Sequence, residues 1–271
     1  MTPQAFAADH TAAQVYEDVL VPNLFLPSTQ RALEKAAIAR GETVLDMASG
    51  TGIGARLAAD ATGSAGRVVG VDSDAGMLAV ARRAGAADGA GALHWLRADA
   101  QSVPLSSSRF DAALCLQGLQ FFAAPDVALA ELRRVLRPGG RLVVSTWGPL
   151  TSMPGHAAVY AALDALGIDT ASPRRGFQLH ATTLAEWLGD AGFGDIDISP
   201  CPHTLNFPSA ADFVDGLLQG APYTRRALAP FSPASREACR ADALRRLSSY
   251  EAAAGLQLPA FVHLAYARRS R

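Results

Sequence analysis

The chain carries a single lysine, Lys35, among its 271 residues. That scarcity removes two nucleotide-binding readings. A phosphate-binding P-loop needs lysine after its last glycine, and the glycine-rich turn Ser49-Gly50-Thr51-Gly52 runs on into Ile53 and Ala55. The short-chain dehydrogenase pattern needs a lysine four residues after a tyrosine, and no tyrosine here has one. Cysteine is also sparse. Cys115, Cys201 and Cys239 lie too far apart for paired metal-site spacing, and an odd number suits a reducing cytosol. The expectation is no metal and a cytoplasmic location. A net charge of -1 lacks the basic excess that a nucleic-acid partner requires, and Arg174-Arg175 and the ARRSR tail read as solvated surface. No apolar run is long and charge-free enough for a membrane span. MTPQAFAADHTAAQ has neither the basic segment nor the apolar core of a signal peptide.

What is present is apolar residue in quantity, 49% of the chain, arranged in alternating strand-like and helix-like patterns. Helical spacing at Val15, Val19 and Leu20, then Leu33, Ala36 and Ala37, runs toward a stop at Gly41. VLDM (44–47) reads as a short strand, followed by a turn and a helix from Ile53 to Ala61. RVVGVD (67–72), LHWLRAD (93–99), FDAALCL (110–116) and RLVVSTW (141–147) are further strands separated by helical stretches. Asp126 is expected to cap the helix before the fifth of them, and Pro138-Gly139-Gly140 to turn the chain into it. This alternation implies an α/β fold, a parallel sheet with helices on both faces. Such sheets bind ligands outside the carboxyl ends of their strands, where strand order reverses. Beyond Trp147, a helix at 181–193, a strand at 195–207, mostly helix over 209–246 and a last strand at 259–269 complete a seven-stranded sheet. The chain therefore divides into N-terminal helices over the site (1–41), a Rossmann-like core (42–148) and a C-terminal part (149–271). Insertions at about 149–178 and 208–255 form a helical lid.

The turn satisfies the G-x-G-x-x-G/A fingerprint through Gly50, Gly52 and Ala55. Asp46, four residues before Gly50, does not belong to that fingerprint: a pyrophosphate is repelled by a carboxylate at the strand end. S-adenosylmethionine carries an ammonium and a sulfonium and no phosphate, so the same acid favours it. Bare glycines let backbone approach its amino-acid portion. Asp72 at the second strand end suits the ribose hydroxyls, and Asp99 with the Ala100 backbone suits the adenine edge. Asp46, Asp72, Asp99 and Gln117 thus converge from four strand ends. A nicotinamide-dependent oxidoreductase stays as a remote alternative, resting on the glycine spacing alone.

VLDMASGTG, VVGVDSDAGML, RADAQSVPL, FDAALCLQGLQFF and ELRRVLRPGGRLVVSTW together resemble the class I S-adenosylmethionine-dependent methyltransferases. They look most like the methyltransferase type 11 branch around ubiquinone and menaquinone biosynthesis and small-molecule natural-product enzymes. The resemblance covers roughly residues 42–147. It implies that Asp46, Ala48, Gly50 and Gly52 surround the methionine portion, with Asp46 holding the ammonium directly or through water. It implies Asp72 and Ser73 at the ribose, Met77 on the adenine, Asp99 and Ala100 at the adenine edge, and Gln117 beside the methionine tail. Ala48 departs from the family, which usually has glycine there. For Met77 core packing, for Gln117 a turn and for Asp74 a helix cap are the competing readings.

The acceptor is read from composition. Tyr16, Phe25, Phe121, Phe122, Trp147, Phe207, Phe213 and Tyr223 lie on segments expected to meet at the cleft mouth, although each is also an ordinary core residue in type. They point to a hydrophobic small molecule, a quinone, polyketide or terpenoid, methylated on oxygen, carbon or nitrogen, with S-adenosylhomocysteine as the by-product. The [DN]-P-P-[YF] motif of many nucleic-acid amine methyltransferases is missing after the fourth strand, where QGLQFF stands instead. No residue stands out as a general base. His156 is best placed by topology, against a surface or capping role, while His180, His203 and His263 sit farther along. Without an evident base, use of the bound cofactor as a fixed charge for cyclisation or elimination, or as a structural ligand, stays open. The expected assembly is a monomer or homodimer.

Overall fold

A computed structural model describes residues 12–270. Residues 1–11, the start of the expected N-terminal segment, lie outside the described residues. Eight strands form one sheet: β1 (Thr43–Met47), β2 (Arg67–Asp72), β3 (Ala92–Arg97), β4 (Phe110–Leu116), β5 (Leu136–Trp147), β6 (Phe193–Phe207), β7 (Glu251–Ala252) and β8 (Gly255–Arg269). Their order is β3-β2-β1-β4-β5-β8-β6, with the two-residue β7 paired to β8 alone. The first five are parallel to one another, and β8 runs antiparallel between β5 and β6.

Alternation along the strands explains why both faces are covered. Val44, Val68, Ala112 and Val143 pack into one apolar cluster, and their neighbours Leu45, Val69, Ala113 and Leu142 pack into or against the other. The first cluster continues into the N-terminal helices through Leu20 and Leu24 and into the late insertions through Phe213 and Leu217. Strand order reverses between β2 and β4 around the central β1, which opens the crevice at their carboxyl ends.

Three local expectations are corrected. The helix Leu26–Ala36 ends where Ala37 turns left-handed at φ 46°, four residues before Gly41. Asp126 is not the cap of the helix Pro125–Val135; Ala124 holds that place, with Pro125 at the first helical position and Asp126 in the first turn. β5 begins at Leu136, not Arg141. Its ladder to β4 jumps from Phe110↔Leu136 to Ala112↔Arg141, so the Pro-Gly-Gly turn sits as a bulge inside the strand. An unforeseen feature is the π-helical stretch Tyr16–Phe25, which contains Pro22. Proline has no N–H to donate to the preceding turn, and the widened turn absorbs that gap. Among the described residues no helix is long and apolar enough to cross a membrane.

Candidate functional site

The glycine turn leaves β1 through two left-handed residues, Ala48 (φ 58°) and Gly50 (φ 55°), before Gly52 (φ 92°) opens the helix Ile53–Thr62. Each is held by a specific neighbour. The Asp72 carboxylate accepts from Gly50 N–H (2.8 Å) with one oxygen and from Asp74 N–H (2.9 Å) with the other. A Cβ at Gly52 would overlap the Trp95 ring, so this glycine is bare because β3 lays an indole across it. Gly118, after β4, faces the Ala48 methyl in the same way. Arg56 donates to the Thr51 carbonyl (2.7 Å) and pairs with Glu17 (2.6 Å), which ties the N-terminal helices to the turn.

Asp46 is the most perturbed acid of the site. It is 2% exposed, and burial pushes its carboxyl up to about 7 against a donation from Ala55 N–H. Asp72 nearby raises it further. Its Oδ2 has no hydrogen-bond partner, and neither do the buried Ser49 and Thr51 hydroxyl oxygens on the same turn. A Cβ at Gly54 would lie 2.8 Å from that Oδ2, so glycine makes room for the acid. Three orphaned polar atoms around one turn form an environment that takes a donor-rich, cationic group. Asp72 is also raised, chiefly by burial. Burial and the Asp72 charge push the Tyr16 phenol far up, so it keeps its proton.

From this turn a cavity of about 820 Å³ extends beneath both insertions. Ala48, Gly50, Asp72, Ser73, Met77 and Gln117 line one end. Asp46, Ser49, Thr51 and Gly54 line a smaller recess that shares Tyr16, Phe25 and Gln117 with it. The far end is aromatic. Tyr16 stacks on Phe25 (4.9 Å between centroids), Phe25 lies 6.0 Å from Trp147, and Trp147 stacks on Phe177 (6.1 Å, 10°). Tyr160 meets Phe177 edge-on at 5.7 Å and Tyr223 at 6.4 Å.

The competing readings divide on this geometry. Gln117 does close a turn, at φ 57° with its amide donating to Ser145 Oγ, and it also faces the cavity. Met77 packs on Ala13 and Val80 with one side on the cavity. Asp74 caps the helix Ala75–Ala84 by accepting from Gly76 and Met77 N–H. Asp99 and Ala100 lie outside the cavity lining. Asp99 is exposed beyond the end of β3, and donations from Gln101 hold its carboxyl below the usual range. His156 is not a surface residue: it is 6% exposed, ringed by Trp147, Phe177 and Phe213, and burial lowers its imidazole to about 4. Phe207 and Phe213 belong to the core, packed edge-on at 5.1 Å away from the lining. Tyr16, Phe25, Phe121, Phe122, Trp147 and Tyr223 do line it. Leu20, read from sequence only as part of the N-terminal helical spacing, and Leu24, Tyr160 and Phe177, unremarked there, also line it; the apolar run of 154–165, buried on most sides, was the available signal for Tyr160.

With this geometry in hand, residues 45–144 match the family described as a methyltransferase domain. The chain is 31% identical over 204 residues to the ubiquinone/menaquinone biosynthesis C-methyltransferase UbiE of Chromobacterium violaceum, across 69% of this chain and 83% of that protein. It is 33% identical over 188 residues to the demethylmenaquinone methyltransferase of Clavibacter sepedonicus, across 64% and 73%. Phosphoethanolamine N-methyltransferase 2 of Haemonchus contortus, solved in complex with S-adenosyl-L-methionine, has the same fold, with a TM-score of 0.59 at 19% identity over 98% of this chain and 59% of that one.

Proposed function

The chain belongs to the class I S-adenosylmethionine-dependent methyltransferases, and from that premise we propose that its acceptor is an apolar small molecule, quinone-like or a secondary metabolite. The observation that carries the proposal is the single cavity joining the acid-lined glycine turn to an aromatic chamber. The residues at the turn fit the cofactor. Asp46, ionised by the cation, holds its ammonium through the otherwise unpartnered Oδ2; Ala48 and Gly50 border its amino-acid end; Asp72 and Ser73 take the ribose. Met77 packs on the adenine, Asp99 reaches the adenine edge from the exposed segment beyond β3 with Ala100 buried behind it, and Gln117 lies beside the methionine tail. Gly52 acts one step back, setting the turn against Trp95.

S-adenosylmethionine, when bound, supplies an electrophilic methyl carbon on a sulfonium. The chain's own residues then orient the acceptor and exclude water. Trp147 and Phe177, near-parallel, form an apolar wall with Phe25 tilted against its end, and such positioning lowers barriers by about 7–11 kcal/mol. His156 is neutral at pH 7 and offers a lone pair to an acceptor's O–H or N–H. With a value near 4 it does not retain a proton at neutral pH, so we assign it positioning and not base catalysis. The setting we propose is cytoplasmic, with the cofactor core at 42–148 and the acceptor chamber completed by 149–178 and 208–255. The test is calorimetric titration with S-adenosylmethionine and S-adenosylhomocysteine, repeated on Asp72→Ala, followed by a labelled-methyl screen of apolar phenols and quinols against polar peptides and RNA. Turnover of acceptors with an apolar body, and not of peptides or RNA, is expected. Exclusive turnover of a peptide or RNA overturns the proposal.

A further inference from the structure

Charge is divided along the cavity. The carboxylates that line it, Asp72 and Asp74, both sit at the cofactor end. The guanidinium groups that line it, Arg175 and Arg226, both sit on the insertions, one on each. Neither arginine is in an ion pair among the described residues. Arg175 donates only to Ser172 Oγ (3.1 Å), and the Arg226 side chain donates to nothing there. The contrast with the next residue is direct: Arg174 turns away and pairs with Asp164 at 2.7 Å. Both lining arginines are exposed at the rim, so a ligand's charged group meets them without leaving water altogether.

We infer that the acceptor is amphipathic, with an apolar body in the aromatic chamber and an oxyanion, a carboxylate, sulfonate or phosphate, at the end remote from the methylated atom. The two guanidinium groups bind that oxyanion by charge-assisted hydrogen bonds. The inference rests on the acceptor chamber proposed above. It also sets the acceptor's orientation, because the acids at the cofactor end repel the anion and the arginines attract it.

A matched pair of probes separates the two claims: 8-anilino-1-naphthalenesulfonate, and N-phenyl-1-naphthylamine, which lacks only the sulfonate. Binding of each to the S-adenosylhomocysteine-loaded protein is read by fluorescence, for the natural chain and for the Arg175→Gln/Arg226→Gln variant. Unchanged thermal unfolding shows that these two exposed changes leave the fold intact. We expect both probes to bind, the sulfonate about tenfold or more tighter, and that preference to collapse in the variant while the neutral probe is unaffected. A third arm, naphthalene carrying a carboxylate or a phosphate, ranks the oxyanions. If both probes bind and the preference is absent or survives in the variant, the arginine assignment falls and the apolar chamber stands. If the neutral probe fails to bind, both readings fall.

Discussion

Replacing Asp46 by asparagine tests whether the buried acid is held ready for a cation. Its carboxyl stands at about 7 in the folded chain, against 3.8 for an unperturbed aspartate, and this gap is worth about 4 kcal/mol. A raised acid binds its proton more tightly folded than unfolded. Its contribution to stability is therefore full below 3.8 and is lost as the pH rises through 7. Between pH 5 and pH 8 the cofactor-free protein gives up about 2.5 kcal/mol through this one group. Asparagine keeps the shape and accepts the same Ala55 N–H but has no proton to lose. Urea unfolding of the two proteins at both pH values, without ligand, is the assay. The difference in their stabilities should shift by about 2.5 kcal/mol in favour of asparagine at pH 8, since all other groups titrate in both. S-adenosylmethionine should erase that shift in the natural chain by favouring ionised Asp46, and should bind asparagine about 10- to 100-fold more weakly. If the stability difference is the same at pH 5 and pH 8, Asp46 is not titrating in this range and the reasoning fails.

Three other perturbations follow from the same site. Ala48→Gly relieves a left-handed alanine and should stabilise the protein by about 1 kcal/mol in chemical denaturation, with cofactor affinity kept. Gly52→Ala should destabilise by several kcal/mol, summing left-handed strain of about 1–2 with overlap of about 1–3 from Trp95; in a double-mutant cycle Trp95→Ala should recover the overlap part alone. Coupling near zero between the two would show that the indole is not what keeps position 52 bare. His156→Phe should flatten stability between pH 6.5 and pH 4. The buried imidazole, lowered from 6.5 to about 4, stabilises fully above 6.5 and loses about 3 kcal/mol as the pH falls through that window; a natural chain with no steeper acid slope than the variant would refute this.

The sheet was legible because its signals are local. β2 and β4 have the bounds their apolar runs announce, and Asp72 at the end of one and Gln117 just past the end of the other mark where the chain turns. The insertions were legible as helix but not as walls. Tyr160 and Phe177 reach the cavity through packing against residues far away in sequence, while Phe207, equally aromatic, turns into the core against Phe213. The glycine turn was legible for half of its reasons. Gly50 meets the cavity as expected, but the bareness of Gly52 comes from Trp95 on β3, a contact that no spacing within 44–58 encodes. Glu17 and Arg56 escaped for the same reason: an ion pair between residues so far apart has no periodicity.

That ion pair links the glycine turn to the N-terminal helical stretch. Arg56 grips the Thr51 carbonyl with one nitrogen and Glu17 with the other, so the turn and the helical stretch from Tyr16 to Phe25 are anchored together. The same stretch sends Tyr16 over Gly50 and Phe25 toward Trp147, which makes it a wall of both the acid recess and the aromatic chamber. Gly220 packs so closely on the Tyr16 backbone that a Cβ there would lie 3.0 Å from its nitrogen, and the second insertion is thereby seated on this segment. One helical element therefore contacts the glycine turn, the aromatic chamber and the second insertion. Filling the acid recess, which neutralises Asp46 against the wall that Tyr16 forms, bears on the segment that also shapes the far chamber. Order in the chamber is expected to follow cofactor binding for that reason, and hydrogen exchange over 16–25 and 216–228, slowed by S-adenosylhomocysteine alone, is the measurement that checks it. Slowing confined to 44–58 would mean that the two ends of the cavity are independent.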